Sequence, residues 1–365
     1  MNAEKYDSFH PGKLWKDNNG VHINAHGGGI LFYENIYYWF GEHKIKGKAG
    51  NAAHVGVHCY SSKDLYNWTD EGIALSVVKD NPNHTLTEGC IIERPKVIFN
   101  PKTKKFVMWF HHEYKDKGYS TVMSGLAISD RVTGPYEYIH SIRPNKKIWP
   151  MNVQDFHKAP VKPQVSETYY GGASLPEHPD VLNLLGRDFP AGQMARDMTL
   201  FVDDDGKAYH IYASEFNSTL HIAELTDDYL AHTGKYKRVF VARWMEAPIV
   251  FKRNCKYYFI GSGCTGWKPN TARGAVANSI WGPWMELGNP CEGPDAELTF
   301  HAQSTYVLQV QGKKDAYIFM ADRWNPDNAI DGRYVWLPVI FTKNDDGYEI
   351  LRIRRLDRWD LSRFD

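Results

Sequence analysis

Short hydrophobic strands in this chain repeatedly open on a polar or ionisable residue. The first is Ala25-His26-Gly27-Gly28-Gly29-Ile30-Leu31, followed by Glu93-Arg94-Pro95-Lys96-Val97-Ile98-Phe99 and Arg196-Asp197-Met198-Thr199-Leu200-Phe201. Glu246-Ala247-Pro248-Ile249-Val250-Phe251 and Gln303-Ser304-Thr305-Tyr306-Val307-Leu308 complete the set. Each opening leads through a turn into a second, aromatic strand, such as Tyr37-Tyr38-Trp39-Phe40 or Tyr257-Tyr258-Phe259-Ile260. Five such units predict radial repetition: an all-β, five-bladed β-propeller of four-stranded antiparallel sheets, with every unit starting near a common axis. That arrangement gathers Glu93, Asp197, Glu246 and Gln303 in one central polar pocket.

Later parts of the units repeat as well. Gly125-Leu126-Ala127-Ile128 before Gly134-Pro135-Tyr136 is echoed by Gly274-Ala275-Val276-Ala277 before Gly282-Pro283-Trp284. The rhythm fails between about 142 and 195, where Pro144, Pro150, Pro160, Pro163, Pro176, Pro179 and Pro190 crowd together. A connector of that length predicts a rim insertion within one propeller domain spanning 1–365. Residues 1–24 read as an entry segment that packs Trp15 on the body, and Tyr348 to Phe364 as a tail that seals the ring or covers an edge strand. The turn Asp203-Asp204-Asp205-Gly206-Lys207 is acidic but lacks the calcium-loop spacing, so it reads as a solvated hairpin.

The 365 residues suffice for a large core, and 43 acidic side chains balance 43 basic ones. With no long basic run, nucleic acid is excluded as a partner. No apolar stretch reaches membrane-spanning length. The five cysteines show neither metal spacing nor a disulfide framework. The start, Met1-Asn2-Ala3-Glu4-Lys5, has no secretion signal; a removed signal would place the chain outside the cell or in the periplasm, and its absence leaves the cytoplasm open. Twelve Trp and 22 Tyr exceed what a core requires, and rings with polar edges suit sugar faces.

Together these motifs resemble glycoside hydrolase family 43, a five-bladed propeller family, and within it the branch of exo-β-1,3-galactanases and related galactosidases. Ser262-Gly263-Cys264-Thr265-Gly266-Trp267 adds to the likeness, which covers about 24 to 340 apart from the insertion. The resemblance implies an inverting O-glycosyl hydrolase releasing galactose from β-1,3-galactan or arabinogalactan-type glycans, a plant-type saccharide partner and no required cofactor. It also implies a structural calcium in some members, with His301 as a residue that could approach such a site. α-L-Arabinofuranosidase and β-xylosidase activities occur in the same family, and a catalytically silent carbohydrate-binding propeller is the reading from another class.

On the family pattern Glu246 matches the general acid and Asp197 the residue that tunes it. The usual first-blade Asp is missing from Asn24-Ala25-His26-Gly27, a departure that puts the general base in doubt while fitting the galactanase branch. Glu93 then stands as sugar ligand, water-positioning group, base or partner of a neighbouring Arg or Lys. Gln303 stands as the group that orients water through its amide oxygen, a sugar ligand, or a structural hydrogen-bonding residue. His26, Arg196, Trp267, Arg273 and Trp324 complete the candidates as substrate-binding residues, each with a structural role as its alternative.

Overall fold

Runs of β-branched and aromatic residues separated by tight turns become strands, in the order the hydrophobic pattern predicts. The computed structural model describes residues 5–160, 183–343 and 349–365. Blade one comprises β1 (His26–Tyr33), β2 (Ile36–His43), β3 (Gly56–Ser62) and β4 (Thr69–Ser76). Blade two holds β5 (Ile91–Asn100), β6 (Lys105–Glu113), β7 (Met123–Ser129) and β8 (Glu137–Ile142). Blade three follows with β9 (Met198–Val202), β10 (Ala208–Ser214), β11 (Thr219–Leu225) and β12 (His232–Val239). Blade four contains β13 (Met245–Arg253), β14 (Lys256–Gly263), β15 (Arg273–Ala277) and β16 (Met285–Gly288). Blade five is built from β18 (Gln303–Gln309), β19 (Tyr317–Arg323), β20 (Arg333–Lys343) and β21 (Glu349–Arg354), after the short β17 (Cys291–Glu292).

Within each blade, sequence neighbours pair antiparallel. Among the described strands only β17 departs, running parallel to β21 and covering its outer edge. The innermost strands β1, β5, β9, β13 and β18 touch in sequence, and β18 returns to β1, so the circle closes.

Five apolar clusters fill the five seams between blades. Side chains alternate across a strand, so one strand feeds two seams. In β6, Phe106, Met108 and Phe110 join blade one, while Val107 and Trp109 join blade three. The seam between blades five and one carries the ring closure: Phe9, Trp39, Trp68, Trp336 and Trp359 pack together, and Phe9 pairs with Trp359 as an isolated bridge. Burying such a ring removes roughly 150–250 Å² from water, on the order of 4–6 kcal/mol gross for each tryptophan. Packing of this kind takes up part of the aromatic excess: Trp39, Trp68, Trp109, Trp244 and Trp336 are fully buried.

The described flanks of the insertion lie along blade three, with a 3-10 turn at Asp155–Lys158 and the short helix α1 (Leu184–Asp188). Residues 161–182 of the expected insertion, including Pro163, Pro176 and Pro179, lie outside the described residues. Asp203–Lys207 forms the hairpin turn expected of it, closed by Asp203 N donating to Lys207 O at 2.9 Å. All five cysteines are free thiols. Among the described residues no helix is long and apolar enough to cross a membrane.

Candidate active site

The recurring motif works through a backbone defect. In β1, β5 and β13 the pairing register jumps directly after the leading residue, between His26 and Gly29, Glu93 and Lys96, and Glu246 and Ile249. The residue after each leader takes a left-handed conformation, with φ of 62° at Gly27, 55° at Arg94 and 52° at Ala247. In two cases proline follows and removes a ladder donor, which favours a bulge over regular pairing. The bulge turns the leading carboxylates of β5 and β13 toward the axis. Left-handed Arg94 and Ala247 each cost on the order of 1–3 kcal/mol, which the surrounding packing must offset.

All five blades contribute to a cavity of about 170 Å³, on the scale of one sugar ring. Its lining includes Glu42, Glu93, Arg94, His111, Tyr119, Arg196, Asp197, Asn217, Glu246, Trp267, Gln303 and Trp324. Thus all four predicted catalytic residues meet, together with Arg196, Trp267 and Trp324. His26 and Arg273 do not line it. His26 is fully buried, its ring stacked on Tyr334 at 5.2 Å with Nδ1 3.7 Å from Asp322 Oδ2, because the bulge at Gly27 leaves it pointing into the body. Arg273 turns aside to donate to Arg243 O at 2.5 Å.

Arg94 is the hub. Its guanidinium stands 3.0 Å from Asp197 Oδ2, donates to Gln303 Oε1 at 2.6 Å and Ser304 O at 2.9 Å, and lies 5.3 Å from the Trp324 ring centre. Asp197 also accepts from Ala247 N at 3.0 Å, which ties it to the residue following Glu246. Glu246 Oε1 accepts from Asn217 Nδ2 at 2.7 Å. Burial raises the Glu246 carboxyl and the Asp197 charge raises it further; Arg94 and Arg196 oppose this in part, and the outcome is about 8. This setting favours the protonated carboxyl at neutral pH.

Glu93 sits in the opposite electrostatic setting. Its carboxylate accepts from the Tyr119 hydroxyl at 2.5 Å and from His111 Nδ1 at 3.0 Å, while His111 Nε2 donates to buried Glu113 at 2.9 Å. Burial would raise Glu93, but the hydrogen bond and charge of His111, with Lys44 and Tyr119, bring it down to about 2. Burial would lower His111, but its hydrogen bonds with Glu113 and Glu93 lift it to about 9. The pair is an ionised carboxylate held by an imidazolium.

Gln303 Oε1 accepts from both Arg94 and Trp324 Nε1, the latter at 3.0 Å, while its Nε2 donates to Ser262 Oγ at 3.0 Å. Both lone pairs of the amide oxygen are occupied. Trp324 meets Trp267 edge-on at 6.1 Å, and Trp267 remains 42% exposed at the mouth.

Several lining residues were not singled out in the sequence: Glu42, Arg94, His111, Tyr119 and Asn217. Glu42 matters most, because it supplies a blade-one carboxylate where the leading motif has none. It accepts from Arg94 N at 3.0 Å and pairs with Lys44 at 2.6 Å. Glu93, His111 and Asp197 place three ligand-type atoms within 4.8 Å of one another. A cation does not fit there: both His111 nitrogens face carboxylates, and Arg94 already neutralises Asp197. His301 pairs with Asp295 at 3.4 Å on an exposed turn, apart from that group.

Residues 181–347 match the sequence model for glycosyl hydrolases family 43. A solved β-1,3-galactosidase of that family, bound to galactodeoxynojirimycin, is 48% identical with a TM-score of 0.88, over 97% of this chain and 100% of its own. An exo-β-1,3-galactanase from Phanerochaete chrysosporium, solved with β-1,3-galactotriose, is 30% identical with a TM-score of 0.75, over 97% of this chain and 68% of its own. A β-D-galactofuranosidase from Aspergillus niger is 30% identical over 145 residues, 39% of this chain and 41% of that protein's length. Five closed blades, the axial carboxylates and full-length likeness to the galactosidase lead to one assignment: the chain belongs to glycoside hydrolase family 43.

Proposed function

We propose that this enzyme is an exo-acting, inverting hydrolase that releases galactose from the non-reducing ends of β-1,3-linked galactans, including those of the arabinogalactan type. The carrying observation is the Glu246 carboxyl, set beside the Asp197 charge inside a cavity that admits about one sugar, a setting that favours its protonated form. The names of the similar galactosidase and galactanase support galactose as that sugar.

In this reading Glu246 gives its proton to the glycosidic oxygen as the bond to the anomeric carbon breaks. A water attacks that carbon from the opposite face, and its proton passes to the Glu42 carboxylate. Asp197, fixed by Arg94 and Ala247 N, keeps the acid protonated. Glu93, down at about 2, holds a proton weakly, so it acts mainly as a charged acceptor for sugar hydroxyls and for water. Gln303 orients the water once substrate displaces one of the two donors on its oxygen. Trp267 and Trp324 provide the apolar ring faces on which a sugar stacks.

Product analysis on β-1,3-galactotriose tests this. The expected result is galactose released one unit at a time, with the α-anomer first in the proton spectrum. Release from arabinofuranosides, xylosides or β-galactofuranosides instead would replace the substrate assignment, and binding without release would make the chain a carbohydrate-binding module.

A further inference from the structure

Asn217 reaches Glu246 from an unusual backbone. Glu215, Phe216 and Asn217 are consecutive non-glycine residues in the left-handed region, at φ 50°, 57° and 66°. Isolated chains avoid this conformation because Cβ approaches the following carbonyl, so something must over-determine it. Two structures do so, and both involve the insertion.

The first is a buried ion pair. Glu215 is 1% exposed and accepts from Arg238 Nε and Nη2, each at 2.7 Å, and from His221 Nε2 at 2.8 Å. Arg238 is gripped in turn by the insertion: His157 Nε2 lies 2.9 Å from its Nη1, and Asn152 bonds its backbone N and O at 3.1 and 2.9 Å. The second is an apolar socket. Phe216 packs with Leu184 and Met194 of the insertion and with Val122 of blade two, and the Arg187 guanidinium sits 4.5 Å from its ring centre. On its far side the turn docks just ahead of the acid's strand β13, with Trp244 N donating to Ser218 O at 3.1 Å.

We propose that the insertion is a positioning element for the general acid: through the Phe216 socket and the Arg238–Glu215 pair it locks the left-handed turn that holds Asn217 against Glu246. Leu184, Arg187 and Glu215 are thereby positioning residues that act through Asn217, and none of them touches the sugar. The inference rests on the reading of Glu246 as the acid.

The chemical consequence has a definite sign. A hydrogen bond donated to a carboxylate favours its charged form, so loss of the Asn217 donor lets Glu246 keep its proton to higher pH. The charged and titratable groups facing Glu246 are Asp197 and Arg196 before β9, Arg94 and Glu93 on β5, and Cys264 after β14. The insertion variants delete none of these groups, and Arg196, 5.9 Å from the Phe216 ring centre, shares the socket they open. Turnover falls nonetheless, because the donated proton loses its fixed direction toward the leaving oxygen.

The experiment compares Leu184→Ala, Arg187→Ala and Asn217→Ala in the full chain on β-1,3-galactobiose, with thermal unfolding measured alongside. For both insertion variants kcat should fall about tenfold, KM should stay within twofold, and the basic limb of kcat/KM should move upward in the same direction as in Asn217→Ala. A fall in activity that only tracks the folded fraction, with the limb unmoved, overturns the proposal, as does an unmoved limb in Asn217→Ala. Arg187, at the surface of the socket, keeps the test available if Leu184→Ala fails to fold. Glu246→Gln is assayed separately: retained turnover there would sink the acid assignment itself rather than the role of the insertion.

Discussion

Gly27 stands so close to Glu42 that a Cβ at position 27 would collide with the Glu42 carboxylate oxygen. The two residues explain how blade one contributes to the site without the expected Asp. The bulge sends His26 inward, the missing side chain at 27 opens a gap, and the carboxylate from the paired strand fills it. Register pairs His26 with Glu42 directly. Gly27→Ala must therefore displace Glu42 and also strain a backbone at φ 62°. Activity on β-1,3-galactobiose should drop at least about 100-fold, comparable to removal of one preorganised site contact. Glu42→Gln, which keeps the shape but leaves buried Lys44 without its partner, should lose activity and also lower the melting temperature. Wild-type turnover in Gly27→Ala would remove Glu42 from the mechanism.

Gln303 is held from three sides by Arg94, Trp324 and Ser262. Gln303→Ala frees all three at once, yet Arg94 keeps its partner Asp197, so the fold should survive. The expected loss is in kcat, about 100-fold or more, with melting changed by a few degrees at most. Near-wild-type kcat would exclude Gln303 from holding the nucleophilic water.

Much of this site was legible because the sequence marks bulges with proline. Glu93-Arg94-Pro95 and Glu246-Ala247-Pro248 state both the leading carboxylate and the break in pairing that aims it. The His26 motif has the same outline but no proline, and there the leading side chain packs into the body. The overlooked residues obey a second rule. An antiparallel second strand ends where the first begins, so its last residues also reach the axis. Glu42 closes the aromatic run Tyr37–Phe40, His111 and Glu113 close Phe106–Phe110, and Asp322 closes Tyr317–Ala321. Cross-strand register pairs Glu93 with His111 and Gln303 with Asp322. Ionisable groups at the end of an otherwise apolar strand were the available signal. Tyr119 and Asn217 lie in connectors, whose conformation no periodicity encodes.

The raised acid has a cost that pH exposes. Glu246 lies at about 8 when folded against an ordinary value of 4.5, so the folded chain binds the extra proton between these limits. Stability from this group is complete below about 4.5 and is lost as pH rises through about 8. Glu246→Gln removes the buried charge, so its melting temperature should exceed that of the wild type by a wider margin at pH 9 than at pH 5. The same protonation sets the basic limb of kcat/KM near 8. An equal margin at both pH values would mean that Glu246 is not held protonated.

His111 makes the complementary case. Its folded value of about 9 exceeds the ordinary 6.5, so its contribution is full below about 6.5 and disappears as pH rises through about 9. Glu93, lowered from 4.5 to about 2, contributes above about 4.5 and loses that contribution as pH falls through about 2. Both contributions are therefore complete only between about 4.5 and 6.5. Replacing His111 with Gln leaves Glu93 and buried Glu113 without their shared cation, a loss on the order of 3–5 kcal/mol for a buried pair. His111→Gln should melt well below the wild type at pH 5.5, with the gap narrowing toward pH 9 as the wild type loses the same charge. Glu93, no longer pulled down by an imidazolium, should then titrate higher and move the acidic limb of kcat/KM upward. A gap that stays constant from pH 5.5 to 9 would show that the imidazolium is not what holds Glu93 in place.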